Sequence, residues 1–277
     1  MGQKIRAVVS DLDGTLLDGN GSLSPETRRV LRILRERGIP VIVATGRPLC
    51  ALPEQVQKEE GIPYLITANG AQVYARGEEK VLYETGLSYE IRQQLFNAAR
   101  ETDAYCEAFL QGQAYLDSRV LDRAEEWNYG PRVIRYLQST RRTCQDLESL
   151  VLEAEQVEAL DFFARDPEHK SRIWERVSRI SGLYVTSSVP HLVEVAAEGT
   201  NKAQALKWVL EKLHISSQET IAFGDGDNDV ELLQICGLGI AMENGSHACR
   251  AAADRIAAGN QEDGFAREIG KLLEGVE

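Results

Sequence analysis

Hydrophobic and polar positions alternate between two rhythms along the chain. Residues 5–10 (Ile-Arg-Ala-Val-Val-Ser) form a short apolar run that reads as a buried strand ending on Asp11. Ser24-Pro25-Glu26 then offers an N-cap, a proline at the first helical position and an acid in the first turn. Apolar residues recur at Val30, Leu31, Ile33 and Leu34, and Gly38 stops that helix. A β-branched run at 39–44 predicts a second strand, ending on Thr45-Gly46-Arg47. A further helix is expected up to Gly61, and a third strand over 64–67 ends near Asn69-Gly70. The same rhythm returns after about residue 199. A helix over 202–213 carries Leu206, Val209, Leu210 and Leu213 on one face, and a strand over 220–223 ends on Gly224-Asp225. A helix over 229–235, a strand over 238–242 and a helical C-terminus follow.

Strands alternating with helices through short loops predict a parallel sheet with crossover helices. The middle of the chain is patterned differently, with helices expected over 88–100 and 167–180 and strands over 157–164 and 184–187. The expected fold is therefore α/β: a doubly wound parallel-sheet core from residues 1–83 and 191–277, with an α+β domain, 84–190, inserted between its halves.

Composition changes the picture by exclusion. At 277 residues the chain is long enough for two domains and for a core that needs no staples. Five scattered cysteines with no CxxC pair predict reduced, structural thiols, and four isolated histidines give no zinc spacing. The N-terminus is expected to carry no signal peptide, no apolar run approaches a membrane span, and the expected compartment is the cytoplasm. A net charge of −12 argues against nucleic acid as a partner, since phosphate backbones are bound by basic stripes. A small phosphorylated metabolite remains compatible, because a metal and a lysine can reverse the field within one cleft. The sequence carries no signal of oligomeric state.

Candidate chemistry gathers where predicted strands end, the place where ligands bind in sheets of this type. Asp11-Leu12-Asp13-Gly14-Thr15 sets two carboxylates two residues apart as the chain leaves a strand. The first suits a nucleophile and metal ligand, and the second a general acid and base. Asp225-Gly226-Asp227-Asn228-Asp229 crowds three carboxylates into five residues, which a divalent cation would relieve. An EF-hand is excluded, because Val230 and Cys236 stand where its glycine and last glutamate belong. Lys202 opens a helix, where the dipole disfavours a cation unless an anion is near. Thr45-Gly46-Arg47 offers a hydroxyl, an open backbone N–H and a guanidinium, a set suited to phosphate oxygens. Singly, these features also read as an Asp-Gly turn, a capping loop, an exposed lysine and a routine cap. No Walker A or dinucleotide-binding glycine fingerprint is present.

Taken in order, the motifs resemble those of the haloacid dehalogenase (HAD) superfamily, in particular its Cof-type phosphatases of subclass IIB. Asp11-Leu12-Asp13-Gly14-Thr15-Leu16 resembles motif one, Thr45-Gly46-Arg47 motif two, Lys202 within Gly199-Thr200-Asn201-Lys202 motif three, and Gly224-Asp225-Gly226-Asp227-Asn228-Asp229 motif four. The Asn69-Gly70-Ala71 and Ala241-Met242-Glu243-Asn244 stretches, and residues 260–264, are similar to further Cof-type signatures. The resemblance implies a Mg²⁺-dependent phosphatase acting through an aspartyl-phosphate on Asp11. Asp13 would be the acid and base, and Asp11, the backbone carbonyl of Asp13 and Asp225 would hold the metal. Leu12, Thr45, Gly46, Lys202 and Asn228 would bind the phosphoryl group, Arg47 and Asn69 would face the ester, and Asp229 would orient Lys202 or a metal-bound water. Residues 84–190 would be a cap that selects the leaving group, with Tyr105, Trp127, Tyr129, Trp174 and His191 as candidates to line its pocket. A phosphomutase and a non-catalytic phosphate sensor are the rival readings.

Overall fold

The computed structural model describes residues 5–78, 80–123 and 130–274. Trp127 and Tyr129 lie outside the described residues. The chain divides into two units: Met1–Gly46, Leu52–Tyr83 and Asn201–Glu277 form the first, and Arg47–Ala51 and Glu84–Thr200 the second.

Fourteen strands are formed among the described residues. In chain order they are β1 (Ala7–Ser10), β2 (Val41–Ala44), β3 (Tyr64–Thr67), β4 (Gln72–Ala75), β5 (Val81–Glu84), β6 (Tyr105–Leu110), β7 (Gln113–Asp117), β8 (Arg142–Cys144), β9 (Ala159–Phe163), β10 (Leu183–Thr186), β11 (Leu192–Ala197), β12 (Thr220–Gly224), β13 (Leu238–Met242) and β14 (Arg255–Ala257). The first unit is built on a sheet of order β14-β13-β12-β1-β2-β3-β4-β5. Pairing is parallel from β14 through β3, and β4 turns back antiparallel on β3.

Register places the chemistry. Ser10 pairs with Phe223 on one side and Val43 on the other, and Val43 pairs with Leu65. The residues that follow β1, β2, β3 and β12 therefore emerge along one edge of the sheet. Strands β1 and β2 are buried at every position, as expected of a parallel sheet covered on both faces. Val9, Ile42 and Ile66 pack with Leu206, Val209 and Leu210 of the helix Lys202–Leu213. The helix Pro25–Glu36 starts as its sequence predicts: Ser24 Oγ accepts from Thr27 N at 3.0 Å, with Pro25 behind it. The helix expected up to Gly61 is shorter, one turn at Leu49–Ala51 followed by Glu54–Gln57. Pro53 sets a new start there, because its ring cannot continue the preceding turn.

The second unit carries a sheet of order β10-β11-β9-β6-β7-β8, antiparallel except for the β7–β8 pair. Leu95, Leu160, Phe162, Ile173, Val177, Val193 and Val195 form its main core with the helices Tyr89–Thr102, Leu147–Glu153 and Pro167–Val177. A smaller cluster of Tyr105, Leu116, Val120, Leu137 and Phe163 packs on the opposite sheet face.

The expected division at 190 and 191 falls differently. β11 is hydrogen-bonded between β10 and β9, and Val193 and Val195 complete the second unit's core, so that unit extends to Thr200. It also claims Arg47–Ala51: Cys50 N donates to Gly112 O at 2.9 Å, and the Arg47 guanidinium lies 5.0 Å from the Tyr136 ring centroid.

Candidate active site

Asp11 closes β1, and its backbone N–H donates to Phe223 O at 2.9 Å, so the strand ladder fixes where its carboxylate begins. The chain then makes one wide turn, Leu12–Leu16, closed by Leu17 N donating to Leu12 O at 2.9 Å. Gly14 sits in that turn at φ +79°, and a Cβ there would run into the Asp225 carboxylate. Only glycine satisfies both demands, a left-handed backbone and an approach this close. Thr15 Oγ1 donates to Asp225 Oδ1 at 2.7 Å, which ties the first motif to the fourth.

Lys202 is the first residue of its helix, capped by Asn201, whose Oδ1 accepts from Gln204 N at 2.8 Å. Its ammonium is 1 % exposed and donates to Asp11 Oδ1 at 2.6 Å and Asp229 Oδ1 at 2.7 Å. These two carboxylates resolve the conflict between a cation and a helix N-terminus. Asp229 is used on both sides, since its Oδ2 accepts from Asp225 N at 3.0 Å and Gly226 N at 2.9 Å. Carboxylate oxygens of Asp11, Asp225 and Asp229 all lie within 4.8 Å of one another.

Three carboxylates against one ammonium leave two negative charges in a largely buried space. Burial pushes the Asp11 carboxyl well above its ordinary range, opposed by Lys202. Burial, followed by the Asp229 charge, pushes Asp225 up to about 6. For Lys202 burial works against the charge, but Asp11 and Asp229 outweigh it and hold the ammonium protonated. A divalent cation fits this donor set: it would cancel the excess charge, and hard oxygen ligands are what Mg²⁺ takes. With Asp229 committed to Lys202 and two backbone N–H groups, Asp11 and Asp225 are the side chains left to hold it.

The remaining expected residues fall in place to differing degrees. Thr45 is buried at the end of β2, and its carbonyl accepts from Asn69 N at 3.0 Å. Asn228 Nδ2 donates to Asn69 Oδ1 at 2.8 Å, so these two meet in a buried contact. Leu12 is fully buried, Gly46 half-buried and the Asp13 side chain exposed, two residues beyond the Asp11 anchor. Arg47 belongs with the second unit, where its Nη1 also donates to Ala51 O at 2.8 Å. Of the candidate pocket residues in that unit, Tyr105 is buried, His191 half-buried and Trp174 37 % exposed.

Several supporting residues carried no predicted role. Asn244 Nδ2 donates to Gly14 O at 2.9 Å, and its Oδ1 accepts from Asn260 N at 3.0 Å. Asn260 Nδ2 in turn donates to Leu17 O at 2.8 Å. Both asparagines lie in stretches similar to Cof-type signatures, which was the available signal. Ser246 N donates to Asp225 O at 2.8 Å, bracing the fourth motif from behind.

The chain is similar to known proteins along nearly its whole length. The family model described as haloacid dehalogenase-like hydrolase matches residues 8–269. A Bacillus subtilis protein named 5-amino-6-(5-phospho-D-ribitylamino)uracil phosphatase YcsE is 27% identical over 273 residues, covering 96% of this chain and 94% of that one. A solved haloacid dehalogenase-like hydrolase from B. subtilis is 26% identical, with a TM-score of 0.84 over 96% of this chain and 99% of that one. The subclass IIB sugar phosphatase BT4131 shares the fold, with a TM-score of 0.80 at 22% identity over 96% of this chain and 98% of that one. With the four motifs converging on one sheet edge and the family model spanning nearly the whole chain, the chain belongs to the haloacid dehalogenase-like hydrolases and is a phosphoric monoester hydrolase.

Proposed function

We propose that the protein is a Mg²⁺-dependent phosphatase of small phosphorylated metabolites that works through an aspartyl-phosphate on Asp11. The observation that carries this reading is the buried Asp11–Lys202–Asp229 contact beside Asp225, with two negative charges in excess. Asp11, the Asp13 backbone carbonyl and Asp225 would hold the metal, which when bound supplies charge neutralisation to the ester and to the attacking carboxylate.

Lys202 holds Asp11 Oδ1, and we assign the attack on phosphorus to Oδ2. The ester P–O bond breaks as the new O–P bond forms, and Asp13 gives its proton to the departing alkoxide oxygen. Asp13 then takes a proton from water, whose oxygen attacks the aspartyl-phosphate and releases inorganic phosphate and Asp11. Thr45, the Gly46 and Leu12 backbone, Lys202 and Asn228 bind the phosphoryl oxygens. Arg47, next in the chain to Gly46, serves the ester. Phosphoryl transfer demands mainly positioning and charge neutralisation, and this set provides both.

The second unit acts in this reading as the substrate-selecting domain. The activity for which the Bacillus subtilis relative is named, on a phosphorylated ribityl compound, supports a phosphorylated sugar or sugar alcohol as substrate. The net charge of −12 supports a partner other than nucleic acid. Five free cysteines support a reducing cytoplasmic setting. Among the described residues no helix is long and apolar enough to cross a membrane.

The test is phosphate release from a panel of small phosphate esters with Mg²⁺ and with EDTA. Metal-dependent hydrolysis is expected. No release, with bisphosphate-activated isomerisation in its place, would establish the mutase instead. Phosphate binding without any turnover would establish the sensor.

A further inference from the structure

The turn Ala68–Gly70 has three consecutive residues in the left-handed region, at φ +48°, +53° and +102°. Asparagine and glycine tolerate that region and alanine does so at a cost, so the surroundings must hold the turn in place. Three parts of the site do so. Asn69 N donates to the Thr45 carbonyl at 3.0 Å. Asn69 Oδ1 accepts from Asn228 Nδ2 at 2.8 Å, with both side chains buried. Gly70 packs so closely against the Asn201 carbonyl, which precedes Lys202, that any Cβ would collide with it. One turn thus touches the second, third and fourth motifs.

The Asn69–Asn228 contact has a direction. A phosphoryl oxygen only accepts, so an asparagine that binds it must present N–H. Asn69 offers its carbonyl oxygen and so draws the Asn228 NH₂ group to its side. The Asn228 carbonyl oxygen lies on the other side, so near Gly226 that a Cβ there would overlap it. Among the described residues the Asn228 side chain makes no other hydrogen bond, so its second N–H is available.

We propose that Asn69 is a positioning residue of the phosphate site, holding the Asn228 amide so that its second N–H is aimed at the phosphoryl group. This rests on the phosphatase reading for the role of Asn228. It differs from a direct contact between Asn69 and the ester.

Asn69→Gly keeps the left-handed backbone without strain, so the variant folds and its melting temperature verifies this. The readout is the inhibition constant of inorganic phosphate, which does not depend on the fraction of active enzyme. Asn69→Gly is expected to weaken it about tenfold, the scale of one loosened hydrogen bond to a charged group. Asn228→Ala is expected to weaken it at least as much, and adding Asn69→Gly to Asn228→Ala to change nothing further. The loss in kcat/KM is expected to be equal for p-nitrophenyl phosphate and glucose 6-phosphate. An unchanged phosphate constant in Asn69→Gly, multiplying losses in the double variant, or losses that differ between the two esters would overturn the proposal. Should the wild type hydrolyse neither ester, the phosphatase reading fails. Calorimetric titration of the same four proteins with inorganic phosphate and Mg²⁺ then decides the Asn69 role by the same pattern of losses.

Discussion

Both units bury more carboxylates than cations, and they handle the excess in opposite ways. In the first, Asp11, Asp225 and Asp229 surround Lys202 at a sheet edge, beside the exposed Asp13. In the second, Glu107, Asp161 and Glu194 lie in neighbouring strands β6, β9 and β11, each less than 5 % exposed. There Arg141 grips Glu107 through two bonds of 2.6 and 3.0 Å, and Glu194 accepts from the N–H and hydroxyl of Ser188. Burial, followed by the charges of Glu194 and Glu107, pushes Asp161 well up, and it accepts from Val195 N at 3.2 Å. Internal donors and the Arg141 charge satisfy the second cluster. The first keeps its excess at an edge where a cation and an ester can arrive. Excess buried charge alone is therefore no sign of a metal site; its access and its supply of neutral donors decide.

The sharpest break of this comparison is Asp11→Asn. Turnover in a phosphate-release assay is expected to fall by at least about a thousandfold, since the nucleophile is lost, while the thermal melt stays cooperative. Removing the cation from either cluster tests the difference in access. Arg141→Met and Lys202→Met each leave buried carboxylates uncompensated and are expected to cost about 3–5 kcal/mol in urea unfolding. Added Mg²⁺ is expected to restore part of that loss in Lys202→Met and none in Arg141→Met. In the wild type, Mg²⁺ at about a hundred times its Kd is expected to stabilise the fold by about 2.7 kcal/mol in thermal unfolding. Asp225→Asn is expected to remove most of that gain. An effect of similar size concerns Glu158, whose carboxyl burial raises from 4.5 to about 7. Its folded-state value lies above the unfolded one, so its contribution is complete below about pH 4.5 and lost as pH rises through about 7. Stability should fall by on the order of 3 kcal/mol over that window, and Glu158→Gln should flatten the dependence.

Much of the architecture was legible because it is written locally. Ser24 and Pro25 announce their helix, and the apolar runs ending on Asp11 and Thr45 announce buried strands, since caps and alternation act within a few residues. The shortened helix after Pro48 shows the limit of periodicity where prolines intervene. The second unit's extent was misjudged by ten residues, because Leu192–Ala197 has no local feature that says which sheet it joins. Hydrogen bonding to β9 and β10 decides that.

The candidate site divides in the same way. The sequence by itself determined which chemical groups stand at strand ends, that carboxylates outnumber cations there, and that glycines flank them. These are properties of short segments, and residue type and spacing carry them. Tertiary structure alone decided that Lys202 bridges Asp11, 191 positions away, and Asp229. It decided too that Asp229 spends both oxygens on Lys202 and the backbone, and that Asn69 meets Asn228 across 159 positions. The reason is physical: side-chain partnership depends on strand register and helix packing, which sum the preferences of the whole chain and leave no trace in any one segment.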